Sequence, residues 1–253
     1  MSKDLRRLAM VLSLCLIAFT PTAGTTMERR LNDLECPAAP VTIAVIGDSL
    51  ADGIWGAFYR AFATCADVRV MRLTEVSDGL AKSPAKDWLD RLETAAPDLT
   101  VVTVGANDLT NIRKDRSRLV HGTPDWKSEY AARARALAAG LKARSEAVVW
   151  MGLPIVGKQE YEASYRQLTE LQSAAARQAG VRFVDTHEPT TFGQGQFVMS
   201  TRIDGTVRQV RHSDQVHFTE LGYDMVAALM QATVSTIFTT ASRDADLGAV
   251  ALQ

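Results

Sequence analysis

The chain has 253 residues, is 47% hydrophobic and carries a formal net charge of −1. That length and apolar content suit one large folded domain or two small ones, with ample core for a globule. Near-neutral charge without a long basic run gives no electrostatic reason for nucleic acid or an anionic membrane as a partner.

The first segment, "MSKDLRRLAMVLSLCLIAFTPTAG", places Lys3, Arg6 and Arg7 ahead of an apolar stretch of 13 residues, Leu8 to Thr20, and ends in small residues. This is the layout of an export leader over residues 1–24. The apolar stretch is shorter than the roughly 20 residues of a spanning helix, so no stable membrane span is expected once it leaves; an uncleaved signal anchor is the alternative. The expected location is periplasmic or secreted. Residues 25–40 read as a lead-in containing Cys36.

"VTIAVIG", from Val41 to Gly47, reads as a strand buried on both faces, and a helix follows over 50–65. "DVRVMRL" is a second strand that alternates more and lies nearer a sheet edge. Cys36 precedes the first strand and Cys65 the second. Starts of neighbouring parallel strands lie at one end of a sheet, so a Cys36–Cys65 disulfide is geometrically open to an exported chain. Two separate buried thiols are the alternative.

"DWLDRLETA" reads as a helix, "LTVVTVGAND" as the third strand and its exit, and 109–127 as a polar insertion rich in Arg and Lys. A helix over 128–145, the strand "AVVWMGLPIV", a helix over 160–180 and the strand "VRFVDTH" complete the alternation. Residues 191–213 form a second irregular region, in which Asp204-Gly205 signals a hairpin turn. A helix begins at Thr219, and the tail after about Thr240 shows no periodic pattern. Five strand–helix units make a doubly wound α/β domain over 41–240 the expected fold, with a loose end at 241–253.

Chemistry concentrates where the strands end. Ser49 sits at a strand-to-helix turn, where free backbone N–H groups favour negative charge; such a serine is either a nucleophile or a helix N-cap. A nucleophile needs a base and an orienting group. Of four histidines, His217 has Asp214 three positions earlier in "SDQVHFTELGY". "VTVGANDLT" supplies Asn107, either an oxyanion donor or a turn-satisfying Asn, and "VSDGLAKS" supplies Gly79, either a close backbone donor or an ordinary turn glycine. Asp48 reads as a tether of its turn and Asp52 as first-turn helix charge. Trp126, Arg113 and His121 read either as a sugar-binding surface or as a solvated loop around one packed Trp.

Together, "GDSLADG", Gly79, "GAND" and "DQVH" resemble the four sequence blocks of the SGNH/GDSL hydrolase superfamily. "DW" at 125–126, "EY" at 129–130 and "VHFTELGY" are similar to a bacterial envelope branch of unknown function. The resemblance covers Val41 to about Ser235. It implies a flavodoxin-like three-layer α/β/α sandwich with a five-stranded parallel sheet, and ester chemistry without metal or cofactor. It implies Ser49, Asp214 and His217 as catalytic residues, and Ser49, Gly79 and Asn107 as the oxyanion hole. No G-x-S-x-G elbow surrounds Ser49, so the α/β-hydrolase fold fits poorly. The implied activity is that of an esterase or O-acyltransferase on acylated envelope carbohydrate. A lipid or small-ester hydrolase and an inactive carbohydrate-binding module are the competing readings.

Overall fold

A computed structural model describes residues 30–92 and 95–251. The leader expected at 1–24 lies outside them. In chain order, β1 (Val41–Gly47) leads into α1 (Ser49–Ala61), β2 (Val68–Thr74), α2 (Ala85–Asp90) and β3 (Leu99–Thr103). The insertion holds a hairpin, β4 (Ile112–Lys114) and β5 (Ser117–Leu119). There follow α3 (Pro124–Lys142), β6 (Ala147–Met151), α4 (Gln159–Gln178) and β7 (Arg182–Val184). A second hairpin, β8 (Ser200–Ile203) and β9 (Thr206–Gln209), precedes α5 (Glu220–Ala227) and α6 (Gln231–Ala251).

β1, β2, β3, β6 and β7 form one parallel sheet in the order β2-β1-β3-β6-β7. This is the flavodoxin-like order, with crossover helices covering both faces. On one side α1 packs against α5; on the other α3 packs against α2 and α4. β1 and β3 are buried almost throughout because each is flanked by two strands and covered above and below, whereas β2 is the partly exposed edge. The register aligns Gly47 with Thr74 and with Thr103, so three strands end at one rim. Gly47 has φ 141°, and a Cβ there would lie 1.7 Å from the Thr103 carbonyl oxygen. Only glycine lets β1 leave the sheet this close to β3.

Cys36 and Cys65 are joined by a disulfide with Cα atoms 5.4 Å apart. α1 ends at Ala61, ahead of the expected 65, and Cys65 lies in the turn beyond it. The Asp204-Gly205 hairpin is present as β8–β9.

The tail is a correction. α6 runs helical to Ala251 through the stretch read as a loose end. "ASRDADLGAVA" has no proline and several strong helix formers, so propensity extends the helix where no amphipathic pattern announces it. The run Glu220–Asp244 has mean hydropathy 1.3, enough by length and composition to cross a membrane. Val226, Ala227, Met230, Val234 and Phe238 of that run nonetheless lie in the protein core.

Candidate functional site

Ser49 is the first residue of α1, not its cap. Asp48 is the N-cap, its carboxylate accepting the Leu50 N–H at 2.9 Å. The Ser49 hydroxyl is thereby left for other work, and it lies 2.7 Å from His217 Nε2. The other ring nitrogen, Nδ1, is 2.6 Å from Asp214 Oδ2. The second oxygen of Asp214 accepts the N–H groups of Val216 and His217, at 2.9 and 3.0 Å. Partial burial acts to raise the Asp214 pKa, but these backbone donors and the ring outweigh it and hold the carboxyl at about 2. A carboxylate this acidic stays charged and fixes one orientation of the imidazole.

Asp48 does more than cap. Its Oδ2 accepts the Gly105 and Ala106 N–H groups, each at 2.9 Å, so the Ser49 turn and the Asn107 turn share one fully buried carboxylate. Burial pushes Asp48 up to about 6 despite these three donors. The Ser49 N–H, in the first turn of α1, donates to nothing among the described residues, as first-turn groups commonly do.

Asn107 and Gly79 reach the same rim, and both are engaged with Asp78. Asn107 Nδ2 donates to the Asp78 carbonyl at 3.0 Å, and the Gly79 N–H donates to the Asp78 carboxylate at 2.7 Å. The open N–H expected at Gly79 is therefore occupied. Glycine is required there for a different reason: a Cβ would sit 2.1 Å from Asp108 Oδ1.

Asp108 is a functional neighbour that motif reading passed over. It is fully buried and accepts the Leu80 and Ala81 N–H groups at 3.1 and 2.8 Å, pinning the Gly79 turn to the Asn107 loop. Tyr130 donates to it at 2.8 Å, and Gln172 in turn donates to Tyr130 at 2.9 Å. Burial pushes Asp108 up to about 7.

Arg211 is the second residue missed. It is completely buried, with its guanidinium 3.6 Å from the Phe218 ring centre. Nη1 donates to the Val216 carbonyl at 2.8 Å and Nη2 to the Ile155 carbonyl at 2.7 Å. The Val216–His217 peptide thus gives its oxygen to Arg211 and its N–H to Asp214. The sequence carries no signal for it, because its burial is set by elements distant in the chain.

Other candidates separate from the site. Asp52 pairs with Arg72 at 2.6 Å and accepts from Thr74, as helix-start charge. Trp126 is buried and stacked on Tyr130, with His121 edge-on, which makes it a packing residue rather than a sugar platform. Among the described residues, no cluster of three or more His, Cys, Asp or Glu could hold a metal ion.

A parallel five-stranded sheet with Ser, His, Asp and Asn gathered at its C-terminal rim defines the SGNH class of α/β/α fold. The family described as "Protein of unknown function (DUF459)" matches residues 42–233, and the chain belongs to that family. Solved structures share the fold. LAE5, an alpha/beta hydrolase enzyme from the metagenome of Lake Arreo, superposes with a TM-score of 0.57 at 16% identity, over 78% of this chain and 97% of its own. Axe2, an acetylxylan esterase from Geobacillus stearothermophilus, gives 0.53 at 17% identity, over 76% and 94%. A lipolytic protein of the G-D-S-L family from Veillonella parvula gives 0.51 at 15% identity, over 76% and 97%. A search of curated protein sequences found no match.

Proposed function

We propose that the protein is an exported serine esterase or O-acyltransferase that works on acyl esters, acetyl above all, of cell-envelope carbohydrate. The observation that carries this is the unbroken hydrogen-bonded line from Ser49 Oγ through His217 to Asp214. A serine that merely capped a helix would have no use for an oriented imidazole. His217 Nε2 takes the Ser49 proton as Oγ attacks the ester carbonyl carbon. The Ser49 N–H and the Asn107 amide receive the developing oxyanion, while the Gly79 N–H stays engaged by the Asp78 carboxylate. His217 then returns the proton to the departing sugar oxygen, leaving an acyl-Ser49. Water, or a second sugar hydroxyl, repeats the attack with His217 as base and releases the acid or the new ester.

The carbohydrate assignment draws on the leader-like first segment and on the acetylxylan esterase among the neighbours in fold. The test is turnover of aryl acetate and of acetylated glycans by the purified protein, with and without an acceptor sugar. Ser49→Ala is expected to lose at least about 10³-fold in kcat, and Asn107→Ala about 10²–10³-fold. Unchanged turnover in Ser49→Ala refutes the mechanism, and acyl transfer to the acceptor separates a transferase from a hydrolase.

A further inference from the structure

The rim beside Asn107 carries positive charge that the mechanism leaves unused. β4 and β5 turn through Asp115, φ 53°, and Arg116. Their register sets Ile112 opposite Leu119, Arg113 opposite Arg118 and Lys114 opposite Ser117. Side chains alternate between the faces of a strand. Ile112 is fully buried and Leu119 packs on the core, so Arg113 and Arg118 share the opposite face, exposed to solvent. Directly opposed Cβ atoms lie about 4.5–5.5 Å apart, close enough for like charges to work against the hairpin. Lys114 is neutralised by Glu129 at 2.6 Å. Arg113, Arg116 and Arg118 have no carboxylate within 4.0 Å among the described residues.

The arginines do not stand on a loose arm. Arg133 donates through Nη2 to the Arg113 carbonyl at 3.0 Å and through Nη1 to the Leu80 carbonyl at 2.9 Å. One guanidinium therefore fastens the hairpin to the turn that begins at Gly79. Asn111 accepts the His121 N–H at 2.8 Å and closes the hairpin's base.

We propose that the Arg113/Arg118 face is an anion subsite for an acidic polysaccharide, gripping a sugar carboxylate of the polymer that carries the ester. Planar guanidinium forks match carboxylates two bonds at a time, and a carboxylate between two opposed forks removes their repulsion. Three arginines that pair with no carboxylate among the described residues, on one arm of a chain with net charge −1, suit a discrete carboxylate. They do not make the extended basic track that follows a nucleic-acid backbone. The placement beside an acylated sugar rests on the proposed function; the binding of the acidic chain does not.

The binding is measured by titration calorimetry on Ser49→Ala protein, where no turnover intervenes. The ligands are polygalacturonate oligomers, neutral dextran oligomers and single-stranded DNA of matched charge. Polygalacturonate is expected to bind, more weakly as salt rises, and dextran not to bind. The double variant Arg113→Gln, Arg118→Gln is expected to lose about tenfold in affinity. Arg113→Lys, Arg118→Lys keeps the charge without the fork and is expected to fall between; it carries the test should the Gln pair fail to fold. Absent polygalacturonate binding, undiminished affinity in the variants, or DNA bound as tightly through the same arginines would overturn the subsite. Aryl acetate turnover by the unmutated protein judges the esterase reading separately.

Discussion

Arg211→Met removes a buried cation and leaves its acceptors in place, so two opposed effects can be weighed. Burial pushes Arg211 well below the usual guanidinium range, to about 9. Desolvating a guanidinium in the interior costs several kcal/mol, which the Met variant recovers. Against this, the variant loses two charge-assisted bonds to the Val216 and Ile155 carbonyls, at 2.8 and 2.7 Å. At about 1.5–3 kcal/mol each, their loss costs about 3–6 kcal/mol. Stability is expected to move by less than about 2 kcal/mol either way, because Met keeps most of the contact with Phe218. The catalytic loop fares differently. The Val216–His217 peptide loses its anchor, Asp214 loses a fixed N–H donor, and a displacement of about 1 Å can cost about 10²-fold in kcat. Urea unfolding and aryl acetate kinetics on the same preparation separate the two readouts. A variant that collapses in stability while its folded fraction keeps full kcat would refute the reasoning, as would one with unchanged kcat.

Two further outcomes follow from buried groups. Asp108 loses its proton near 3.8 when unfolded but at about 7 in the fold, so between those values the native state holds a proton that the unfolded chain has released. Stability should be highest at the acid end of that window and fall by up to about 4 kcal/mol as pH rises through it. Asp48, at about 6, adds to the fall. Urea unfolding from pH 4 to 8 should show a shallower decline in Asp108→Asn than in the parent, and parallel curves would contradict this. Replacing Cys36 and Cys65 by serine opens a loop of 29 residues and should cost about 3–4 kcal/mol. The urea midpoint of the oxidised parent should drop on reduction to that of the double serine variant.

The sheet was legible because β1, β3 and β6 are apolar runs long enough to read as doubly covered, and because the turn signals fall where those runs end. The same signals stand at α3, where Thr123 caps, Pro124 opens and Asp125 charges the first turn of a helix that begins ahead of the expected residue 128. β4–β5 was not legible at all. Its strands are three residues each, chiefly Arg, Lys and Ser, and they persist through the burial of Ile112 and the reach of Arg133. In the site, Ser49, Asp214, His217 and Asn107 announce themselves by residue type and position. Asp108 and Arg211 do not, because their importance lies in being buried charges, and burial is decided by elements distant in the chain. The Gly79 N–H shows the same limit, since its partner is the carboxylate of its own neighbour.

Asp48 joins the start of α1 to the exit of β3 through three N–H groups from two separate turns. The nucleophile and the oxyanion side are therefore spaced by a single small side chain, as two marks are spaced on a ruler. That spacing is set when the chain folds, before any ester arrives, and it can change only if a buried charge leaves its three donors together. The floor of the site is fixed from within by that carboxylate, while the β4–β5 hairpin is fastened to the Gly79 turn by a different side chain, Arg133.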